Sequence, residues 1–242
     1  MSPELLLLTS LIIAIQVAMP IGTYLLFNGR HDDKTRLWLL SMTIISASTI
    51  LVSVRPLLPH FLSHEIPWMM HVAGFLLMIE TIRRESIEHT SWWRYGLLWS
   101  AFALSVTMIY FLGDPLSIGL AVYSTVVSVL CLVLWVMFHR LRKLHPSKSL
   151  LLLQIGVLLY GIPSVLRVVA FLYLGTADSM NVYKFSIWTN LLVFAFVLAV
   201  LFIALGYWGF TLEKSERERQ LAKAGEDFAV QESERFRQLV ME

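Results

Sequence analysis

The sequence predicts an all-α integral membrane protein. It has seven transmembrane helices, the N-terminus outside, the C-terminus inside, and a last helix extended into a cytoplasmic signalling helix. Three observations predict this class. The 242 residues are 57% hydrophobic and only 15% charged, with a mean hydropathy of +0.69, whereas a soluble domain is nearer half apolar and about a quarter charged. Seven stretches are apolar over a length that can cross a bilayer, which takes roughly 20 residues in a helix. The charge is segregated, with 14 of the 36 charged side chains in residues 213–242. These features exclude an ordinary soluble enzyme, a disordered tail and a disulfide scaffold. The single cysteine, Cys131, lies in an apolar run and has no partner in the chain. A net charge of +2 gives no reason to expect nucleic acid as a partner.

The predicted spans are residues 4–27, 37–54, 66–82, 95–112, 116–138, 150–173 and 186–210. The first is too long for the apolar part of a signal peptide, and no Lys or Arg precedes it. Pro20 and Gly22 mark a possible bend within it. The third holds Glu80, with Arg83 and Arg84 at i+3 and i+4, where ion pairs form on a helix. Gln16 and Gln154 are expected to hydrogen-bond between helices. Loops 28–36, 83–94 and 139–149 contain ten Lys and Arg residues, against Arg55 and Lys184 alone in the alternate loops. Basic loops stay in the cytoplasm, which sets the orientation. Trp38, Trp68, Trp92, Trp93 and Trp208 lie near span ends, as an interfacial aromatic belt expects.

Residues 211–242 contain no Pro, one Gly and many strong helix formers, so the seventh span is expected to continue as a helix. Phe210, Lys214, Arg217, Leu221, Ala224 and Phe228 follow the 4-3 spacing of a coiled-coil seam. Phe210, Leu221, Ala224 and Phe228 are the candidate signal-relay positions of a parallel homodimer, with a solvated amphipathic helix as the alternative. Residues 1–210 then form a membrane sensory domain, 211–230 a linker helix, and 231–242 the start of a further domain in a longer protein. Phe236, Leu239 and Val240 share a face that such a domain would cover.

Residues 231–242, QESERFRQLVME, resemble the opening helix of a PAS domain in bacterial sensor proteins. LVSVRPLLPHFLS at the end of the second span and GIPSVLRVVAFL in the sixth are similar to the multi-spanning input domains of bacterial diguanylate cyclases and sensor histidine kinases. In those domains an Arg commonly closes the second span, another sits within the sixth, and the seventh runs into a charged helix. GYWGFTLEKSERERQ has that last feature. The resemblance implies a two-component or cyclase receptor in the bacterial inner membrane. No kinase, cyclase or phosphodiesterase motif occurs in these residues, so they are expected to be non-catalytic, and any output enzyme lies downstream.

Ionisable groups inside a span are costly and are functional candidates by default. Arg167 lies about 25 Å along the sixth span and Arg55 about 27 Å along the second, so both fall in the outer leaflet. His71, Tyr110, Tyr123, Trp188 and Asn190 approach the same layer from four other spans. One reading is a ligand pocket in which two guanidinium groups hold a carboxylate or phosphate while aromatic walls hold an apolar tail. The alternative is structural. Arg167 would snorkel to headgroups, or either Arg would pair with Glu65, Asp114 or Asp178. Pro163, four residues before Arg167, removes a helix donor and marks a candidate hinge.

No metal or cofactor is expected. His60 and His64 have a chelating spacing if helical, but Pro59 and Pro67 argue against regular helix there. A retinal pigment is excluded because no Lys lies deep in the seventh span. The favoured function is a sensory input domain for a small anionic or amphiphilic ligand. The alternatives are a small-molecule or lipid transporter and a passive dimerising anchor. No internal repeat or midplane polar site favours the transporter.

Overall fold

The computed structural model describes residues 3–27, 32–54, 57–86, 92–112, 116–174 and 187–241. Side chains are described from residue 10 in the first helix, from 93 and 118 in the fifth and sixth, to 173 in the seventh, and over 194–237 in the last. The described residues are all-helical. The helices are α1 (Pro3–Leu26), α2 (Asp33–Ser53), α3 (His60–Ser63), α4 (Glu65–Ser86), α5 (Trp92–Phe111), α6 (Leu116–Leu144), α7 (Lys148–Leu174) and α8 (Ile187–Met241). All but α3 have 20 residues or more, enough to cover roughly 30 Å. Five meet both length and apolarity for a membrane crossing: α2, the α3–α4 segment, α6, α7 and α8. Several apolar helices of this length mark a multi-pass membrane protein. Large apolar side chains on α1, α5 and α7 face outward, among them Leu25, Leu97, Leu104, Ile162 and Leu172. Such an outer face suits hydrocarbon, not water.

Several helices run beyond the apolar stretches that announced them. Apolarity marks a membrane thickness, whereas a helix continues as long as its residues favour it. Thus α4 continues through Arg83 and Arg84, and α6 through Arg140, Arg142 and Lys143. Pro67 does not prevent helix, because it lies in the first turn of α4, where a backbone N–H has no acceptor to lose. His60–Ser63 forms one turn just before it.

The helices pack in a ring, α1 on α2, α2 on α4, α4 on α6, α6 on α7, α7 on α8, and α8 back on α1. Helix α5 rests outside on α4 and α6. Helix α4 is the most enclosed, with fourteen of its 22 residues buried. The tightest approach joins α7 and α8. A Cβ on Gly206 would lie 2.8 Å from the Leu153 nitrogen and 2.9 Å from the Ser149 oxygen, and one on Gly156 would lie 2.9 Å from the Ala199 oxygen. Only glycine permits backbones this close, so this stretch of α7 and α8 forms a unit.

The aromatic residues depart from the expected belt. Trp38 is fully buried and stacks on Tyr207 at 3.8 Å, and Trp68 is buried in the core. Both tryptophans have neighbours that offer flat aromatic faces, and burial against those faces outweighs an interfacial position. Trp93 does face outward. Trp208 is partly covered and donates its indole N–H to Thr23 Oγ1 at 3.0 Å. Gln154 accepts from Arg142 of α6 at 3.4 Å, an interhelical bond of the kind expected. Gln16 is buried, and its carbonyl oxygen has no partner.

Candidate functional site

The polar centre of the bundle is His71. Its ring is buried, between α2 on one side and α6 and α7 on the other. Ser48 Oγ lies 2.7 Å from His71 Nδ1 and 2.7 Å from the Pro67 carbonyl. A serine hydroxyl has one hydrogen, and the carbonyl can only accept. Ser48 therefore donates to Pro67, and Nδ1–H donates to Ser48. Nε2 is then the acceptor, and the Tyr160 hydroxyl donates to it. The Tyr123 ring meets that of His71 edge-on at 6.2 Å. The result is a directional chain, Tyr160 to His71 to Ser48, that links α7, α4 and α2. It fixes His71 as a neutral imidazole.

Aromatic faces close the chain. Trp68 stacks on Tyr123 at 5.5 Å, Phe75 meets Tyr160 edge-on at 5.0 Å, and Phe196 of α8 lies 5.1 Å from the Tyr160 ring. The last contact brings α8 to the site.

Arg167 stands two turns beyond Tyr160 on α7, about 10 Å along the axis. Its charge acts on both Tyr123 and Tyr160. Its Nε is buried and has no hydrogen-bond partner among the described residues. Such a donor costs free energy, and a charged one more. Glu65 opens α4, six residues before His71. It is buried, one oxygen lies 3.3 Å from His60 Nδ1, and the other has no hydrogen-bond partner among the described residues. The His60 and His64 rings stack at 4.3 Å. Among the described residues no three His, Cys, Asp or Glu side chains converge as a metal site would require.

Of the residues expected to share one layer, the structure joins His71 and Tyr123 and puts Arg167 within electrostatic reach. Tyr110 sits elsewhere, against His60 at 6.1 Å and Phe61 at 5.2 Å, and is partly exposed. Arg55 lies outside the described residues. Trp188 and Asn190 lie in α8, but their side chains are outside the described residues. Pro163 is inside α7, between Tyr160 and Arg167. One residue on, the Ser164 hydroxyl donates to the Tyr160 carbonyl at 3.4 Å. Sequence reasoning missed Ser48 and Tyr160. A signal was present for Tyr160, which precedes Arg167 by seven residues and so shares its face of α7 two turns away.

The opposite end of the bundle is dense in ion pairs. Glu80 is fully buried and receives Arg84 Nε at 2.8 Å and Arg83 Nε at 3.5 Å, as their spacing on the helix expects. Glu85 receives Lys214 of α8 at 2.6 Å and Lys34 of α2 at 3.4 Å. Glu213 accepts from Ser149 Oγ at 2.6 Å, and Arg217 donates to the Pro146 carbonyl at 2.7 Å. These contacts hold α8 where it leaves the bundle. Beyond them α8 has no other helix against it among the described residues. Phe210 is buried, whereas Leu221, Ala224 and Phe228 are exposed.

No protein family, curated protein or solved structure compared with the chain matches it. Function is therefore argued from geometry.

Proposed function

We propose that the chain is the membrane-embedded input domain of a bacterial signal-transduction receptor. In this reading seven helices span the inner membrane, with the N-terminus outside and the C-terminus inside. A small anionic or amphiphilic ligand binds beside Arg167, above the tyrosine–histidine chain. The response passes along α8 to a cytoplasmic histidine kinase or diguanylate cyclase. The exposed seam at Leu221, Ala224 and Phe228 pairs with a second copy.

The observation that carries the reading is the buried Arg167 Nε, which has no hydrogen-bond partner among the described residues and sits two turns beyond Tyr160 on α7. A carboxylate or phosphate is the complement of such a donor. A ligand sends a signal only if it binds two arrangements unequally. Here α7 and α8 are locked at Gly156 and Gly206, so the moving unit is that pair against α2 and α4. The Trp38–Tyr207 stack and the Glu85–Lys214 bridge cross that boundary.

The test is equilibrium dialysis of dodecanoate and dodecyl phosphate against the chain in a neutral detergent. Saturable binding of at least one is expected, weakened about tenfold or more in Arg167→Met, because a hydrogen bond to a charged group is lost. Dodecyltrimethylammonium should not compete. Binding that survives the substitution, or the absence of a saturable anion site, would overturn the reading and leave the passive anchor in its place.

A further inference from the structure

A second site lies at the far end of the bundle and does not depend on the reading above. His145, Ser147, Phe210, Glu213, Lys214 and Arg217 line a shallow, open crevice between the α6–α7 connection and α8. We infer that this crevice binds a phosphate group, supplied by the headgroup of an anionic phospholipid.

The placement supports a headgroup. Three helices change from apolar to charged at this level. Helix α6 is apolar to Phe138 and continues with His139 and Arg140, α7 begins at Lys148, and α8 turns charged just after Phe210. Phe138 and Phe210 are both buried there. A bilayer surface belongs where apolar helices become charged. Residues 139–149 contribute four Lys and Arg and no Asp or Glu. Basic clusters at a membrane boundary attract anionic lipids.

The local chemistry supports phosphate. Arg217 commits one Nη to the Pro146 carbonyl at 2.7 Å, and a guanidinium has five N–H donors. That contact holds it over the crevice. His145 is exposed beside it. Four carboxylates could oppose an anion, Glu213 in the crevice and Glu85, Glu218 and Asp32 around Lys214, and the two in direct contact are engaged. Glu213 lies on Ser149 Oγ at 2.6 Å, at the first turn of α7, and Glu85 is shared by Lys214 and Lys34. The positive start of α7 offsets Glu213 further.

The experiment is native mass spectrometry of the full chain, released from detergent with phosphatidylglycerol or with phosphatidylcholine. One tightly retained phosphatidylglycerol is expected, and phosphatidylcholine should be retained less. Arg217→Ala should weaken retention about fivefold, the effect of one basic residue at a membrane surface. Arg217→Lys, which keeps the charge, should stay within twofold of the unaltered chain. Lys223→Ala, on the same helix but outside the crevice, should also stay within twofold. If millimolar inorganic phosphate binds with the same dependence on Arg217 and phosphatidylglycerol does not, the phosphate site stands but its source is soluble. Equal losses for Arg217→Ala and Lys223→Ala would show diffuse attraction only and overturn the site. So would retention that ignores headgroup charge, with no phosphate binding.

Discussion

Glu80 and Glu85, at one end of the bundle, and Arg167 and Glu65, toward the other, are all ionisable groups in or against an apolar bundle, yet they are treated differently. Glu80 is held by two arginines and Glu85 by lysines from two other helices. Among the described residues Arg167 meets no carboxylate at ion-pair distance, and Glu65 meets His60 at 3.3 Å, a partner charged only when protonated. Ionic bonds at the first end fasten helices together. At the other end a charged side chain stands without such a partner, at a cost in free energy. The comparison predicts opposite responses to charge removal at the two ends.

The largest effect is expected at Glu80. Glu80→Ala leaves Arg83 and Arg84 without their internal acceptor, and removing one partner of a buried pair costs about 3 kcal/mol. Equilibrium unfolding in mixed micelles should register that loss. A loss below about 1 kcal/mol would mean the pair is effectively a surface one, and the contrast between the ends would fail.

Arg167 sharpens the comparison because its predicted sign is reversed. Arg167→Met keeps an apolar side chain of similar length and removes a charge whose Nε is unpaired. Arg167 is half-buried, and removing a donor that has no acceptor among the described residues relieves its desolvation cost. The variant should unfold about 1 kcal/mol later than the unaltered chain in the same assay. If it is destabilised instead, Arg167 is a structural lock, as the alternative reading of the sequence supposed.

The helical class, the apolar spans and the Glu80 pairing were legible because each rests on local spacing along one helix. The candidate site was legible only in part. Arg167 and His71 stood out as ionisable residues in apolar runs, but the depth estimate put them in one layer. The structure pairs His71 with Tyr160, two turns from Arg167. Which residues meet across helices depends on rotation and offset, and apolarity fixes neither. Tyr110 shows the same limit. It lies in the expected helix, but its ring packs on Phe61 and His60. Trp38 was read as interfacial from its position at a span end, whereas the Tyr207 ring across the bundle draws it inside.

The smallest effect is expected at Glu213, where α8 meets the start of α7. Burial alone would raise its pKa. Hydrogen bonds from Ser147 and Ser149 and the charge of Arg217 outweigh burial and lower it from the ordinary 4.5. A lowered folded-state pKa means that the unfolded chain binds the proton more readily. The contact therefore contributes in full above about pH 4.5, the unfolded value, and its contribution fades as pH falls through the lower folded value. Hydrogen exchange of the α7 first-turn amides should accelerate, relative to the intrinsic rate, as pH drops below that value. Glu213→Gln, which keeps the shape and loses the charge, should remove the acceleration. If the Gln variant shows the same pH profile, another group opens this junction, and Glu213 is not what fastens α8 to α7 there.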